Sequence, residues 1–244
     1  ILKLNVLSPK LKLFLKFLIY ILEKKNLNDF EKLLPKTLSK LGPGFIKLGQ
    51  ALSTRPDIFG LKNTNKLVYL QDRLKPFSSR KAIEIIEEKI GLKLDQVFLN
   101  FNQSPVAAAS VAQVYEATLI SGEKVAVKIL RPNIEKILLQ DFKFFFWISK
   151  QIEFFKPSFR RFKLSEMVKI FFQSSINEVD LRLEASSANE LKENFHDFKR
   201  FKVPKIYWEF TSKEVMVLEF MSGVRIDKIK NNKKINFDLE ELTK

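Results

Sequence analysis

Lys128 closes an apolar run, Val125-Ala126-Val127-Lys128. A primary amine at the end of a half-buried β-type run is a cation with a fixed position, suited to holding phosphate oxygens. Any half-buried strand can carry a lysine, so the surroundings must decide. Upstream stands a stretch of small residues, Ala107-Ala108-Ala109-Ser110-Val111-Ala112-Gln113-Val114, and downstream Glu184 is a carboxylate able to hold the lysine. Asn177-Glu178-Val179-Asp180 adds two more acids. On one continuous helix Asp180 and Glu184, four apart, share a face while Glu178 points elsewhere, although a solvated helix face explains acids equally well. Near the start, Lys47 and Gln50 lie three apart, on one face of a helix that begins after the turn Gly42-Pro43-Gly44.

The elements that must position these groups divide by period. Up to Gly91 the pattern is helical: Ile83, Ile86 and Ile90 recur at helical spacing, entered through Ser78-Ser79 and closed by Gly91. From Val97 to Leu130 short β-type runs take over. Val114-Tyr115-Glu116-Ala117 and Val125-Ala126-Val127 flank the turn Ser121-Gly122-Glu123-Lys124, which reads as a hairpin. Helical spacing returns from Ile134 to Phe195, broken at Pro157, with one long amphipathic segment from Ser165 to Leu191. Two further strand-like runs, Val203 to Tyr207 and Val215 to Phe220, complete an α+β lobe of about five antiparallel strands with a long helix against them.

Composition bounds the chemistry. The 244 residues contain no cysteine and one histidine, His196, which excludes disulfides and thiolate metal sites, and no metal ligand set is expected in the chain. The net charge of +15 fits a polyanionic partner, but the lysines are spread and no helix-turn-helix, zinc or RNA-binding signature accompanies them, so no nucleic acid is expected. Leu11 to Leu22 is interrupted by Lys12 and Lys16 and is too short to cross a bilayer. Its apolar face can pack on its own domain or lie on an anionic membrane surface.

Taken in order, the features match the protein-kinase template. Where kinases place Gly-x-Gly-x-x-Gly-x-Val before the strand lysine, this chain has alanine at each glycine position, Ala107, Ala109 and Ala112, followed by Val114. A methyl there disfavours positive φ and the close approach of backbone to phosphate. Leu218-Glu219-Phe220-Met221-Ser222-Gly223 matches the hinge, with the Glu219 carbonyl and Met221 amide facing adenine by position.

From Leu41 to Gly223 the chain resembles the UbiB family of atypical kinase-like proteins, which act in ubiquinone (coenzyme Q) biosynthesis. The matching motifs are Lys47-Leu48-Gly49-Gln50, then Ser53-Thr54-Arg55-Pro56-Asp57, Leu70-Gln71-Asp72 with Pro76-Phe77, the alanine loop, Lys128, Glu178-Val179-Asp180 and Glu184. The resemblance implies ATP and Mg²⁺ as cofactors, with nucleotide contacts from the loop residues Ala107 to Ala112, Val114, Ala126, Lys128, Glu219 and Met221. It also implies that the Lys47–Gln50 helix folds over the cleft where peptide would bind, with Lys47 facing Glu178 or Asp180. Ubiquinone precursors or other quinone-synthesis enzymes are then partners.

The family's catalytic loop and its later metal-binding aspartate find no match here, so the chain alone is expected to be inactive. The resemblance divides it into an N-terminal helical extension at 1–95, a kinase-like N-lobe with a helical insertion at 96–223, and the start of a truncated C-lobe at 224–244. A cytoplasmic location at the inner face of a membrane, peripheral or anchored through a missing C-terminal part, is the matching expectation. A nucleotide- or lipid-binding scaffold of the pseudokinase kind is the alternative; flavin chemistry finds no dinucleotide fingerprint.

Overall fold

A computed structural model describes residues 27–59, 64, 67, 70, 75–198 and 201–223. The amphipathic segment Leu11–Leu22, the pair Gln71-Asp72 and the stretch 224–244 lie outside them. Helices α1 (Leu27–Leu41) and α2 (Pro43–Ser53) are followed by the short α3 (Pro56–Phe59), then α4 (Ser79–Ile90) and the single turn α5 (Leu94–Val97). The strands are β1 (Phe98–Phe101), β2 (Ala107–Ala108), β3 (Ala112–Leu119), β4 (Lys124–Leu130) and β5 (Val215–Glu219). Between β4 and β5 come α6 (Ile134–Phe155), a 3₁₀ segment at Pro157–Phe162, α7 (Leu164–Asn177) and α8 (Leu181–Asn194).

The sheet is antiparallel, ordered β1-β3-β4-β5, with β2 also paired to β3. The hairpin between β3 and β4 closes through Gly122, whose φ of 93° needs a residue without Cβ. Burial alternates along both strands, and the odd positions Tyr115, Ala117, Val125, Val127 and Ile129 pack with Ala82, Ile85 and Ile86 of α4. α4 is delimited as its sequence requires: the Ser78 hydroxyl accepts the Lys81 amide (3.3 Å), and Gly91 ends it in the left-handed region at φ 79°. α4 and the sheet therefore share one core. The even positions Val114, Ala126 and Lys128 are left half-exposed on the opposite face.

Two expectations are corrected. Val203–Tyr207 is not a strand: Ile206 makes only an isolated bridge to Leu218, although the Tyr207 and Glu219 amides do bond to the Val217 and Lys205 carbonyls (2.9 and 2.8 Å). Pro204 has no N–H to extend a ladder, and the fifth strand is instead the two-residue β2 inside the alanine loop. Nor is the segment from Ser165 to Leu191 one helix. It breaks at Glu178–Asp180, where Glu178 caps the end of α7 and Asp180, in an extended conformation, opens α8 by accepting the Arg182 amide (3.1 Å). Val179 and Leu181 turn into the core at that break, and the Leu181 amide donates to Lys213 O (3.0 Å).

Candidate functional site

The even face of the sheet sets the site. Cross-strand register aligns Val114 with Lys128 and Met216, and Glu116 with Ala126 and Leu218. These side chains share a face because neighbours across a ladder point the same way. From the first turn of α8, Glu184 receives both of its hydrogen bonds from the Lys128 ammonium, at 2.7 Å to Oε1 and 2.6 Å to Oε2. The Lys128 side chain is 25% exposed, and its ammonium has one N–H beyond the two that Glu184 accepts.

The acids expected to act together are separated by the break between α7 and α8. Glu178 takes Lys47 as an ion-pair partner. Asp180 takes Arg182 instead, through a two-pronged contact at 2.9 and 2.6 Å, and those hydrogen bonds hold the Asp180 carboxyl below its ordinary range. Asp180 and Glu184 are thus not two acids on one continuous helical face, because Asp180 is the N-cap and lies outside the helix.

Each polar residue of the Lys47–Gln50 helix has a distinct task. Lys47 is buried, with Glu178 at its tip. A Cβ on Gly49 would lie 2.4 Å from Leu70 Cδ1 and 2.9 Å from Leu38 Cδ1, so glycine is what lets α2 settle onto those leucines. Gln50 donates to Leu70 O (3.0 Å) and accepts from the Ser110 hydroxyl (3.3 Å), which places α2 directly on the alanine loop.

That loop is a strapped hairpin. The Ala109 amide donates to Ala112 O (2.8 Å), and no described residue of the loop has a positive φ. Arg131 donates through Nε and Nη2 to Ala109 O (3.1 and 3.0 Å) and through Nη2 to Lys75 O (3.0 Å), while its own amide bonds to Val111 O (2.8 Å). Burial draws the Arg131 guanidinium below its ordinary pKa, but it stays a cation. Ser110, Val111 and Ala112 are buried. Of the loop residues expected to touch nucleotide, Ala107, Ala108, Ala109 and Val114 therefore keep accessible surface, and the loop tip is covered by α2.

At the end of β5, Phe220 N–H donates to Lys124 O (3.1 Å) and the Glu219 carboxylate is held by Lys202 and by the Lys205 amide (3.3 Å). Met221 is exposed.

Three contributors escaped the sequence reading. Arg131 is one, and the anchoring role of Gln113, itself a residue of the alanine loop, is a second: fully buried, Gln113 accepts the Phe77 amide (3.1 Å) and so ties that loop to the approach of α4. The third is Asp141 of α6, whose buried carboxylate accepts the Gly44 amide at the start of α2 (3.0 Å). An acid on the apolar stripe Leu138-Asp141-Phe142-Phe145 was a visible signal, since such a residue needs a buried donor.

The model of the ABC1 atypical kinase-like domain matches residues 69–244. The chain belongs to the ABC1 atypical kinase-like family. Among relatives of this ABC1-family chain, the probable protein kinase UbiB of Pseudomonas putida is 41% identical over 189 residues, covering 78% of this chain and 35% of that protein. Its counterpart in Pseudomonas aeruginosa is 40% identical, with 78% and 36% covered. The chain thus spans about a third of the length of these curated relatives. A solved structure of Rv3197 from Mycobacterium tuberculosis, in complex with erythromycin, is similar at 30% identity and a TM-score of 0.50, covering 80% of this chain and 49% of that one.

The family implies ATP with Mg²⁺. For ATP the residues present fit: a fixed ammonium beside a half-exposed apolar sheet face. No group of three or more acidic or His side chains that could hold a metal ion occurs among the described residues.

Proposed function

We propose that this chain is the ATP-binding portion of a UbiB-type atypical kinase or ATPase that supports ubiquinone biosynthesis by phosphoryl transfer. One observation carries the reading. Lys128, on the central strand of a kinase-like sheet, is oriented by both oxygens of Glu184 across a break of 56 residues in sequence. Two of the three ammonium protons are spent on Glu184 and the third is left for the α and β phosphate oxygens. Val114 and Ala126 supply the apolar wall for the base, with the Glu219 carbonyl and Met221 amide at its edge. ATP, when bound, would bring the transferable γ-phosphoryl group, with Mg²⁺ accompanying its phosphates.

Lys47 with Glu178, and Gln50 with Ser110, hold α2 over the loop and narrow the cleft, which favours a small acceptor or water over a peptide. No helix among the described residues is long and apolar enough to cross a membrane. Attachment at the inner face of a membrane, and contact with ubiquinone precursors or other quinone-synthesis enzymes, belong to this same proposal.

The test is ATP affinity by titration calorimetry for the wild-type chain and Lys128→Met. A loss of at least tenfold, about 1.4 kcal/mol, with an unchanged thermal midpoint is expected. Equal affinity would remove Lys128 from the nucleotide site.

A further inference from the structure

The helical insertion between β4 and α8 ends in a surface that the nucleotide site leaves unused. α6 buries Ile134, Leu138, Asp141, Phe142, Phe145 and Ser149, and none of its residues beyond Ser149 is buried. The 3₁₀ segment that follows has no buried residue at all. At this tip stand Phe154 and Phe155, 68% and 73% exposed, with Phe159 and Phe162 also exposed.

The tip is nonetheless built. The Glu153 carboxylate accepts the Ser165 amide (2.9 Å) and hydroxyl (3.1 Å), the Arg160 Nε donates to the Glu153 carbonyl (2.9 Å), and Lys163 turns the chain in the left-handed region at φ 48°. The rings pair edge-on, Phe154 with Phe155 at 5.2 Å and Phe159 with Phe162 at 5.8 Å, and Arg161 sits 4.6 Å from the Phe162 centroid.

Its charge is one-sided. Residues 150–169 hold six Lys and Arg against two Glu, a surplus of four. Both acids are occupied, Glu153 by Lys150 and Ser165, Glu166 by Lys163. Lys156, Arg160 and Arg161 have no carboxylate partner among the described residues.

We propose that this tip docks the protein on an anionic lipid bilayer, with the four phenylalanines entering the interface and the unpaired cations meeting the headgroups. Exposed rings lacking any hydrogen-bonding group, ringed by cations, match the layered chemistry of a bilayer surface, where an apolar zone lies under a charged one. Nucleic acid is the weaker fit: edge-on pairing leaves the rings poorly placed as a stacking platform, and the concavity beside Phe154 and Arg160 is lined by two carboxylates, Glu153 and Glu166, that would face a phosphate backbone. The surface is independent of Lys128 and Glu184, so its fate and that of the ATP reading separate.

The experiment is co-sedimentation of the whole chain with vesicles of phosphatidylcholine, with and without phosphatidylglycerol, at low and high salt. Wild type should pellet with the anionic vesicles at low salt and not with neutral ones. Each basic residue near an anionic surface contributes about 1 kcal/mol, so Arg160→Gln with Arg161→Gln should lower partitioning roughly 30-fold. Phe154→Ser with Phe155→Ser should weaken it at both salts. Both double variants should keep the wild-type ATP affinity and thermal midpoint. The Leu11–Leu22 segment is present in every sample, so only differences between variants report on the tip. Vesicle binding equal in wild type and variants would overturn the proposal. So would variants that abolish binding to a single-stranded oligonucleotide, or self-association, in place of vesicle binding.

Discussion

Glu178→Ala should cost more than its own contacts are worth, because of how unequally the pair with Lys47 is buried. The Lys47 side chain is 4% exposed and that of Glu178 56%. Removing the glutamate strands an ammonium with almost no water around it, whereas removing the lysine leaves a carboxylate that water already reaches. Breaking a fully buried pair from one side costs about 3–5 kcal/mol; the open side of Glu178 admits some solvent, which brings the expectation to about 2–3 kcal/mol. Lys47→Ala deletes three methylenes at about 0.8 kcal/mol each, roughly 2.4 kcal/mol, but also removes the charge. Lys47→Met keeps most of the packing volume without the charge and should lie within about 1 kcal/mol of wild type. The decisive species is the double variant Lys47→Met with Glu178→Ala, which should recover about 2 kcal/mol relative to Glu178→Ala alone. Urea unfolding followed by circular dichroism, with m-values checked for equality, gives these numbers. If the two changes simply add, or Glu178→Ala costs less than about 0.5 kcal/mol, the buried-ammonium argument is wrong.

Ala109→Gly should strengthen ATP binding at a stability cost of about 0.5–1 kcal/mol. The gain should grow when Arg131→Lys removes the fork that grips Ala109 O, with calorimetry for affinity and amide exchange at Ala112 for loop opening as the measurements. Gly44→Ala gains about 1 kcal/mol in helix propensity, yet its Cβ would lie 2.6 Å from Asp141 Cβ and 2.9 Å from Oδ2. A net loss of about 1–3 kcal/mol is expected in the same urea assay. Asp180→Asn tests the acid limb. The hydrogen bonds from Arg182 depress the folded pKa of Asp180, so its contribution is present above the unfolded value near about 3.9 and fades as pH falls through the lower folded one. Thermal midpoints should therefore differ at neutral pH and converge in acid.

The sheet face and its lysine were legible because the signals were local: strict alternation along 114–117 and 125–128, a glycine turn between them, and a capped helix ending at Gly91. The break at Glu178–Asp180 was not, since helical spacing runs through it and neither Pro nor Gly marks it. Burial of Val179 and Leu181 and the bond from Leu181 to Lys213 set it, and only the preference of Asp for an N-cap hinted at it. Val203–Tyr207 has strand composition, but Pro204 limits its pairing. Arg131 reads as the polar residue after a strand, and its grip on Ala109 and Lys75 depends on segments 22 and 56 residues away. Spacing does not encode such distances.

The contact between Lys47 and Glu178 spans 131 residues of chain, against 56 for Lys128 and Glu184. Closing the longer loop costs about 0.8 kcal/mol more in chain entropy, while the β3–β4 hairpin and the α6–α7 pair close through neighbours in sequence. On that entropy alone, the docking of α2 is expected late in folding and early in unfolding. Interactions absent from the folding transition state act as a brake on unfolding alone, so Lys47→Ala should steepen loss of the native state without slowing refolding, visible as a change confined to the unfolding arm of a chevron plot. A partial opening that lifts α2 from the alanine loop would uncover Ser110 and Val111 while the sheet, with Lys128 in place, stays folded.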